Sequence, residues 1–375
     1  MSITRTIKVL IPDGEAHVLL YVVNCLSLKK HIKIYVMSSK EDGYMKYSRY
    51  IEKYIYQPEV SPKKWIKCIN KTVDKHNIDL VMPIYEAGIA ILAERINEIN
   101  IPKKICGLPN AKNLHVARNK GLLYLHLKDW EIPCPRSIVV NSIETLDAKT
   151  LNLNYPLIIK PVEGGGGGKG ICIVENEEKF IRYCKNYNGA HGSIIQEYIL
   201  GDDFCCNVLC KEGEIIAYSI QKATDFRSGE LTPQIAFDFI ENKELFENAK
   251  KLMKSLNYSG VANIDWRYDR EQKKFKVIEI NPRFWLGTDA SLITGVNFPY
   301  LYCLSSLGYQ THYKTKVNIS YLSLEGLVKR FKKNPFYTLN LSYIYQHSPI
   351  RFILRDPLPI LYKAFLTLRG DKSKS

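Results

Sequence analysis

The sequence predicts a mixed fold: a parallel α/β unit over about the first hundred residues, then an antiparallel α+β unit and a basic tail. Three observations carry this expectation. Short apolar runs alternate with helix-like stretches between residues 7 and 84. Five successive glycines, 164–168, follow an apolar segment that ends in Lys160-Pro161. Two apolar segments, 260–268 and 275–283, flank a polar turn and carry Asp265, Glu279 and Asn281.

Composition bounds the reading. The chain has 375 residues, 46% of them apolar and 24% charged, values ordinary for a folded soluble protein of two to three domains. This excludes a disordered chain and a disulfide-stapled miniprotein. Lys and Arg number 53 against 38 Asp and Glu, a net of +15, which invites anionic partners. Ten cysteines, at 25, 68, 106, 134, 172, 184, 205, 206, 210 and 303, form no CxxC pair and no zinc pattern. Set among apolar neighbours, they read as reduced, small hydrophobes. The first apolar run is short and closed by Asp13, so no signal peptide is expected. No stretch of about 18 uninterrupted apolar residues is long enough to span a bilayer. The expected setting is cytoplasmic.

The elements follow in order. Residues 7–11 read as a strand closed by Pro12-Asp13-Gly14, 15–28 as a helix, 32–37 as a strand, 62–76 as a helix and 80–84 as a strand. Strands alternating with helices indicate a parallel sheet. No GxGxxG follows the first strand, so dinucleotide binding is not supported and this unit reads as a scaffold. A break at Pro102–Pro109 precedes a helical segment, 113–130, a Pro-containing turn, 132–135, and a strand, 137–140. An apolar strand ends at Lys160, strands at 193–199, 204–210 and 214–220 suggest an antiparallel sheet, and a helix at 240–256 leads to a hairpin, 260–281. No repeat of 20–50 residues is visible.

Five glycines cannot form a helix or strand interior, because glycine loses the most backbone entropy and offers nothing to pack. Between strands they make a loop whose bare N–H groups can approach an anion. A Walker loop would need Gly at 163 and Ser or Thr at 170; Glu163 and Gly170 stand there instead. Lys160 adds a point charge suited to a phosphate. In the hairpin, a turn centred on Gln272 pairs positions summing to 544, which sets Asp265 opposite Glu279, with Asn281 on the face of Glu279. Opposed carboxylates repel unless a cation lies between them. Two carboxylates and an amide oxygen make a hard donor set, suited to Mg²⁺ completed by phosphate and water.

With these residues the chain resembles the ATP-grasp superfamily over roughly 110–305. The resemblance rests on Tyr155–Ile171, on Gln196-Glu197-Tyr198-Ile199 followed by Gly201-Asp202-Asp203-Phe204, and on Glu279-Ile280-Asn281-Pro282-Arg283 with upstream Asp265. The family clamps ATP between two α+β subdomains, behind a Rossmann-like domain. The resemblance therefore implies a Rossmann-like pre-ATP-grasp domain at 1–110 and an ATP-grasp domain at 111–310. The latter divides into a small lid subdomain, about 119–195, and a larger subdomain, about 196–310. A basic extension, 311–375, follows.

The resemblance also implies roles. Lys160 is similar to the lysine on the α- and β-phosphates, and Lys120 to a second phosphate-binding lysine. Gly164, Gly165, Gly166, Gly167, Gly168, Lys169 and Gly170 would form the lid over the triphosphate. Glu197, Tyr198 and Ile199 would be the hinge, with Glu197 and the Ile199 amide facing adenine. Asp203 stands where the family commonly has a longer Glu on the ribose hydroxyls. Asp265, Glu279 and Asn281 match the set that holds two Mg²⁺ ions, with Mn²⁺ the alternative. Arg283 matches the arginine near the acyl phosphate, and Lys222 is a candidate for the γ-phosphate.

The implied activity is that of a ligase. A carboxylate attacks the γ-phosphorus of Mg-ATP, and an amine or other nucleophile then displaces phosphate from the acyl phosphate. No covalent enzyme nucleophile is required, and Cys205 and Cys206 read as strand residues. Two alternatives stand beside this: carboxylation or carbamoyl transfer through carboxyphosphate, and a nucleotide-binding module without catalysis. A single grasp, with no glutaminase or biotin-carrier region recognised, weighs against the first; the set at 265, 279, 281 and 283 weighs against the second. Phe284, Trp285 and Asp289 are candidates for an acceptor pocket, with core packing the competing reading, and Tyr85 to Gly88 could face the site from the front domain. The substrates expected are a small-molecule carboxylate and an amine, without nucleic acid, and a homodimer is compatible with the sequence.

The charge is uneven. Residues 311–375 hold twelve Lys or Arg and three acids, a net of +9, which leaves +6 for the other 310 residues. Lys329-Arg330-Phe331-Lys332-Lys333 and the apolar runs at 352–354 and 358–368 make this segment basic and amphipathic. That pattern suggests docking to an anionic membrane surface, at the inner face, or to a protein partner. The competing reading is a helical extension packed on the grasp with its charges solvated.

Overall fold

The computed structural model describes residues 5–143, 146–148, 151–164, 170–187, 192–229 and 231–369. Three sheets organise them. The first is parallel: β1 (Ile7–Ile11), β2 (Ile32–Ser38), β3 (Ile51–Tyr56) and β4 (Leu80–Val81), in the order β3-β2-β1-β4. Its inner strands are apolar on both faces, as a sheet covered on two sides requires. Val9 and Ile11 pack with helix Leu19–Ser27, and Leu10 packs with Ile66, Ile69 and Val73 of helix Pro62–His76. The sequence reading omits β3, a partly exposed edge strand whose Glu52 and Lys53 interrupt its apolar residues.

The chain turns back between β1 and β4, the kind of switch point where α/β sheets open a crevice. Buried Asp13 ties the two loops together there, accepting hydrogen bonds from the backbone N–H groups of Ile84 (3.0 Å) and Tyr85 (2.8 Å). Around this point lies a cavity of about 470 Å³ lined in part by His17, Tyr85 and Lys363.

The second sheet is antiparallel: β5 (Ser137–Val140), β6 (Leu157–Pro161), β7 (Cys172–Val174) and β8 (Ser193–Glu197), in the order β5-β8-β6-β7. Its apolar side closes on Phe180 and Cys184 of helix Glu177–Lys185. The 193–199 segment thus ends as a strand at Glu197 and belongs here, not with 204–220.

The third sheet is antiparallel with six strands: β9 (Gly201–Lys211), β10 (Glu214–Phe226), β11 (Gln234–Ile240), β12 (Gly260–Asp269), β13 (Lys274–Asn281) and β14 (Ile319–Leu322). Their order is β13-β12-β9-β10-β11-β14. Even-numbered residues of β9, among them Phe204, Cys206 and Val208, pack on Leu245, Ala249 and Leu252 of helix Lys243–Ser255. Strand alternation turns the odd-numbered residues to the opposite face. The last strand comes from the basic C-terminal segment, which therefore begins inside the sheet. Helix Leu358–Leu368 then lies against the turn Tyr44–Tyr47, with the Tyr47 and Tyr362 rings 4.3 Å apart.

The expected single helix over 113–130 is two helices, Ala111–Arg118 and Lys120–Asp129. Asn119 makes the break: its side chain accepts from the Leu122 N–H, the ordinary chemistry of a helix N-cap. All ten cysteines are unpaired. Among the described residues no helix is long and apolar enough to cross a membrane.

Candidate functional site

The site lies where the second and third sheets face each other. Lys160, near the end of β6, is 4% exposed; burial pushes its ammonium down to about 8, with the Glu279 charge opposing the shift. Lys120 occupies the first helical position after the Asn119 cap, and its N–H is anchored on the Val162 carbonyl at 2.8 Å. Its ammonium donates to the Gly164 carbonyl (3.0 Å) and lies 3.5 Å from Glu279 Oε2. Gly164 has φ of +71° and Gly170 +74°, the left-handed region that favours glycine. Gly165, Gly166, Gly167, Gly168 and Lys169, the rest of the expected lid, lie outside the described residues.

The hairpin supplies the acids. Asp265 pairs with Glu279, Ile264 with Ile280 and Asn263 with Asn281, but Trp266 pairs with Val277. Ile278 is therefore a β-bulge. The turn sits half a residue earlier than a centre at Gln272, and the bulge restores the pairing. Asn281 Nδ2 donates to Asp265 Oδ2 (3.0 Å) and to Glu279 Oε1 (3.4 Å). Burial, then the facing Glu279, push the Asp265 carboxyl up to about 7. Burial also acts to raise Glu279, but Lys120 and Lys160 outweigh it and hold that carboxyl below its ordinary value. Arg283 donates to Asn281 Oδ1 (3.1 Å) and to the Phe284 carbonyl (2.9 Å), and its guanidinium lies 5.7 Å from the Tyr85 ring centre. Tyr85 thus brings the first sheet's switch point to the site.

This donor set fits a hard cation. Two carboxylates face each other, both reached by the same amide N–H group, and an amide oxygen lies beside them. Among the described residues no group of three His, Cys, Asp or Glu side chains is placed to hold a metal ion, so oxygen atoms of a ligand would have to complete the shell. Three cations, Lys120, Lys160 and Arg283, surround two carboxylates, which makes the site attractive to a polyphosphate.

Asp265, Glu279, Asn281, Arg283 and Lys160 line a cavity of about 320 Å³ with Glu197, Tyr198, Ile199 and Asp203. The Glu197 carboxylate accepts from the Asn154 N–H (2.9 Å) and from Arg136 (3.3 Å). Asp203 is paired across the β9–β12 ladder with Arg267 at 3.3 Å, and the Arg267 guanidinium covers the Tyr198 ring at 4.7 Å.

Two expectations, for Lys222 and Phe284, need correction. Lys222 does not line this cavity: alternation along β10 turns it to the other face, 3.4 Å from Asp202 and 5.7 Å from the Phe204 ring centre. Phe284 belongs to the core shared with the first sheet, fully buried beside Tyr302. Asp289 is fully buried and accepts a hydrogen bond from Asn24 at 2.7 Å, and it stands in the wall of a second cavity, of about 420 Å³, beside this one. Trp285 is also core, although one edge reaches the cavity.

A polar chain absent from the sequence reading runs beneath the acids. Asn207 Nδ2 donates to Gln221 Oε1 (2.9 Å), and Asn263 Nδ2 to Asn207 Oδ1 (2.8 Å). Asn281 Nδ2 also reaches Asn263 Oδ1 (3.3 Å). The Cys205 thiol donates to Asp265 Oδ1 (3.1 Å), so this strand cysteine touches the site while Cys206 is core. The available signal was alternation: Cys205, Asn207, Ser219 and Gln221 share one face of two otherwise apolar strands. Pro233, Gln234, Phe237 and Leu286 line both this cavity and an adjoining apolar one of about 420 Å³, whose far wall is Phe352 and Ile360.

The comparisons agree with this geometry. The family model for an ATP-grasp domain matches residues 117–287. The carbamoyl phosphate synthase large chain of Clostridium acetobutylicum is 23% identical over 215 residues, which cover 55% of this chain but only 18% of that one. The structure resembles that of N5-carboxyaminoimidazole synthetase from Staphylococcus aureus complexed with ADP, at a TM-score of 0.67 and 16% identity, covering 89% of this chain and 87% of that one. It also resembles the L-amino acid ligase of Bacillus licheniformis, at a TM-score of 0.61 and 15% identity, covering 82% and 75%. Two antiparallel sheets thus enclose a cavity with Lys160 in its wall, and the residues that build it, 117–287, match an ATP-grasp domain.

Proposed function

We propose that the chain is an ATP-dependent ligase that activates a carboxylate as an acyl phosphate and joins it to an amine. The observation that carries this reading is the convergence of Lys120 and Lys160 on Asp265, Glu279 and Asn281, with Arg283 alongside. Lys160 and Lys120 hold the nucleotide phosphates. Tyr198 and Ile199 line the base, and Asp203, tempered by Arg267, lies nearest the ribose. Glu197 contributes backbone to the base pocket, since its carboxylate is committed to Asn154 and Arg136. Asp265, Glu279 and Asn281 would hold Mg²⁺, two ions in our reading, and the metal would supply positive charge against the phosphates.

In the first step a substrate carboxylate oxygen bonds to the γ-phosphorus as the bond to ADP breaks. Arg283 stabilises the charge on the transferring group electrostatically. An amine nitrogen then attacks the acyl carbon, phosphate leaves, and the amine proton passes to solvent. The adjoining apolar cavity, sharing four wall residues with the nucleotide cavity, is the place for the acceptor. We place the reaction in the cytoplasm, and ten unpaired cysteines accord with a reducing compartment.

The test is to incubate pure protein with ATP and Mg²⁺ over a panel of amino acids and sugar acids, measuring ADP and phosphate. Release that needs both a carboxylate and an amine supports the proposal. Bicarbonate dependence points to carboxyphosphate chemistry instead. ATP binding without turnover across the panel points to a non-catalytic module.

A further inference from the structure

The C-terminal helices leave an apolar stripe uncovered. On helix Leu358–Leu368, Leu358, Leu361, Phe365 and Leu368 are 56%, 62%, 47% and 88% exposed, and Leu354 on the preceding helix is 68% exposed. Within helix Leu358–Leu368 the four are spaced by three, four and three residues, the spacing of one face. The opposite side of the helix is used: Pro359 and Leu366 are buried, Tyr362 meets Tyr47, and Lys363 lies over the Tyr44 ring at 5.0 Å. The stripe is thus an outer surface of a helix already docked on its inner one.

Charge selects the occupant. Exposed Arg355 and Arg369 bracket the stripe. The carboxylates of the same C-terminal segment are engaged elsewhere. Among the described residues after 311, Glu325 is held by Arg227 at 2.7 and 2.8 Å, and Asp356 is buried against Ser48. A second copy docked through this face would set these uncompensated cations against their own kind. An anionic bilayer surface complements both parts, with leucines in the acyl boundary and guanidinium groups at the phosphates.

We infer that helix Leu358–Leu368 and the end of the helix before it dock the protein in the plane of an anionic membrane. The helix has eleven residues, so it lies on the surface and does not cross it. The docking does not depend on which reaction the nucleotide site performs.

The experiment is co-sedimentation of the full chain with vesicles of phosphatidylcholine alone, or of equal parts phosphatidylcholine and phosphatidylglycerol. The chain should partition onto the mixed vesicles, less so as salt is raised. Leu361→Ser with Phe365→Ser should weaken partition by at least about tenfold, with the far-ultraviolet circular dichroism unchanged. Arg355→Gln with Arg369→Gln, which leaves the apolar stripe intact, should also weaken it by about tenfold. Equal partition onto both vesicle types, no partition, or wild-type partition by the serine variant would each overturn the proposal. So would a dimer, seen by sedimentation velocity, that the serine variant disrupts while vesicles are ignored.

Discussion

Asp265 and Glu279 face each other across the β12–β13 ladder because Ile278 is bulged out of β13. One residue more or fewer between Val277 and Glu279 would turn Glu279 to the opposite face, since strand side chains alternate. Bulges often re-aim a side chain beside a functional site, and this one brings a carboxylate within reach of Lys120.

Glu279→Ala should reduce ATP-dependent turnover by at least about a hundredfold, because it removes one of the two carboxylates proposed to hold the cation and takes away the acid beside Lys120. Phosphate release under saturating ATP and Mg²⁺ measures this. A variant with a near-normal rate would show that the carboxylate is not part of the reacting site.

Lys160→Met separates binding from stability. The buried ammonium is costly to the fold but favourable to a phosphate. ATP affinity by calorimetry should fall by about ten- to a hundredfold. The melting temperature without nucleotide should not fall; a large drop would make Lys160 a structural residue.

Lys222→Ala should leave turnover within about twofold of normal, since its ion pair with Asp202 is exposed and on the far face. Gln221→Leu, one residue away, should behave oppositely. It leaves the buried Asn207 amide without its acceptor and should cost about 1–3 kcal/mol of unfolding free energy. Denaturant unfolding and rate measurements on both variants give the contrast.

The contribution of two buried carboxyl groups, Asp13 and Asp289, to stability should fall as pH rises from about 4 to 7. Burial raises Asp13 to about 7 and Asp289 to about 6. Each keeps its proton in the folded chain where the unfolded chain has already lost it. Their stabilising contribution is full below the unfolded pKa and disappears as pH passes the folded one. Asp289→Asn should therefore gain on the wild type by about 2–3 kcal/mol between pH 4 and 8. Unfolding curves at several pH values would show it, and a gap that does not change with pH would contradict the assignment.

Much of the architecture was legible because it follows from local pattern. The alternation of apolar runs and helix-like stretches announced the parallel sheet, and helix Pro62–His76 has the bounds its periodicity indicates. Lys160, Asp265, Glu279 and Asn281 were visible as polar residues where strands should be apolar. Less local features were not. β3 was missed because an edge strand need not be apolar, and Asn119 was absorbed into one long helix because its cap is a hydrogen bond, not a periodicity.

By itself, then, the sequence determined most element types, the family resemblance and the residues proposed to hold phosphate and a hard cation. Those depend on composition and spacing along the chain. Tertiary structure decided which of them meet. It set Lys120 against Glu279 across a separation of 159 residues, turned Lys222 away, enclosed Phe284 and Asp289, and linked Asn207 and Asn263 to the acids. It also folded one side of the basic C-terminal segment onto the body and left the other uncovered. The physical reason is that facing, burial and the partner of a charge are set by how sheets and helices pack, and a bulge of one residue reverses them without altering composition.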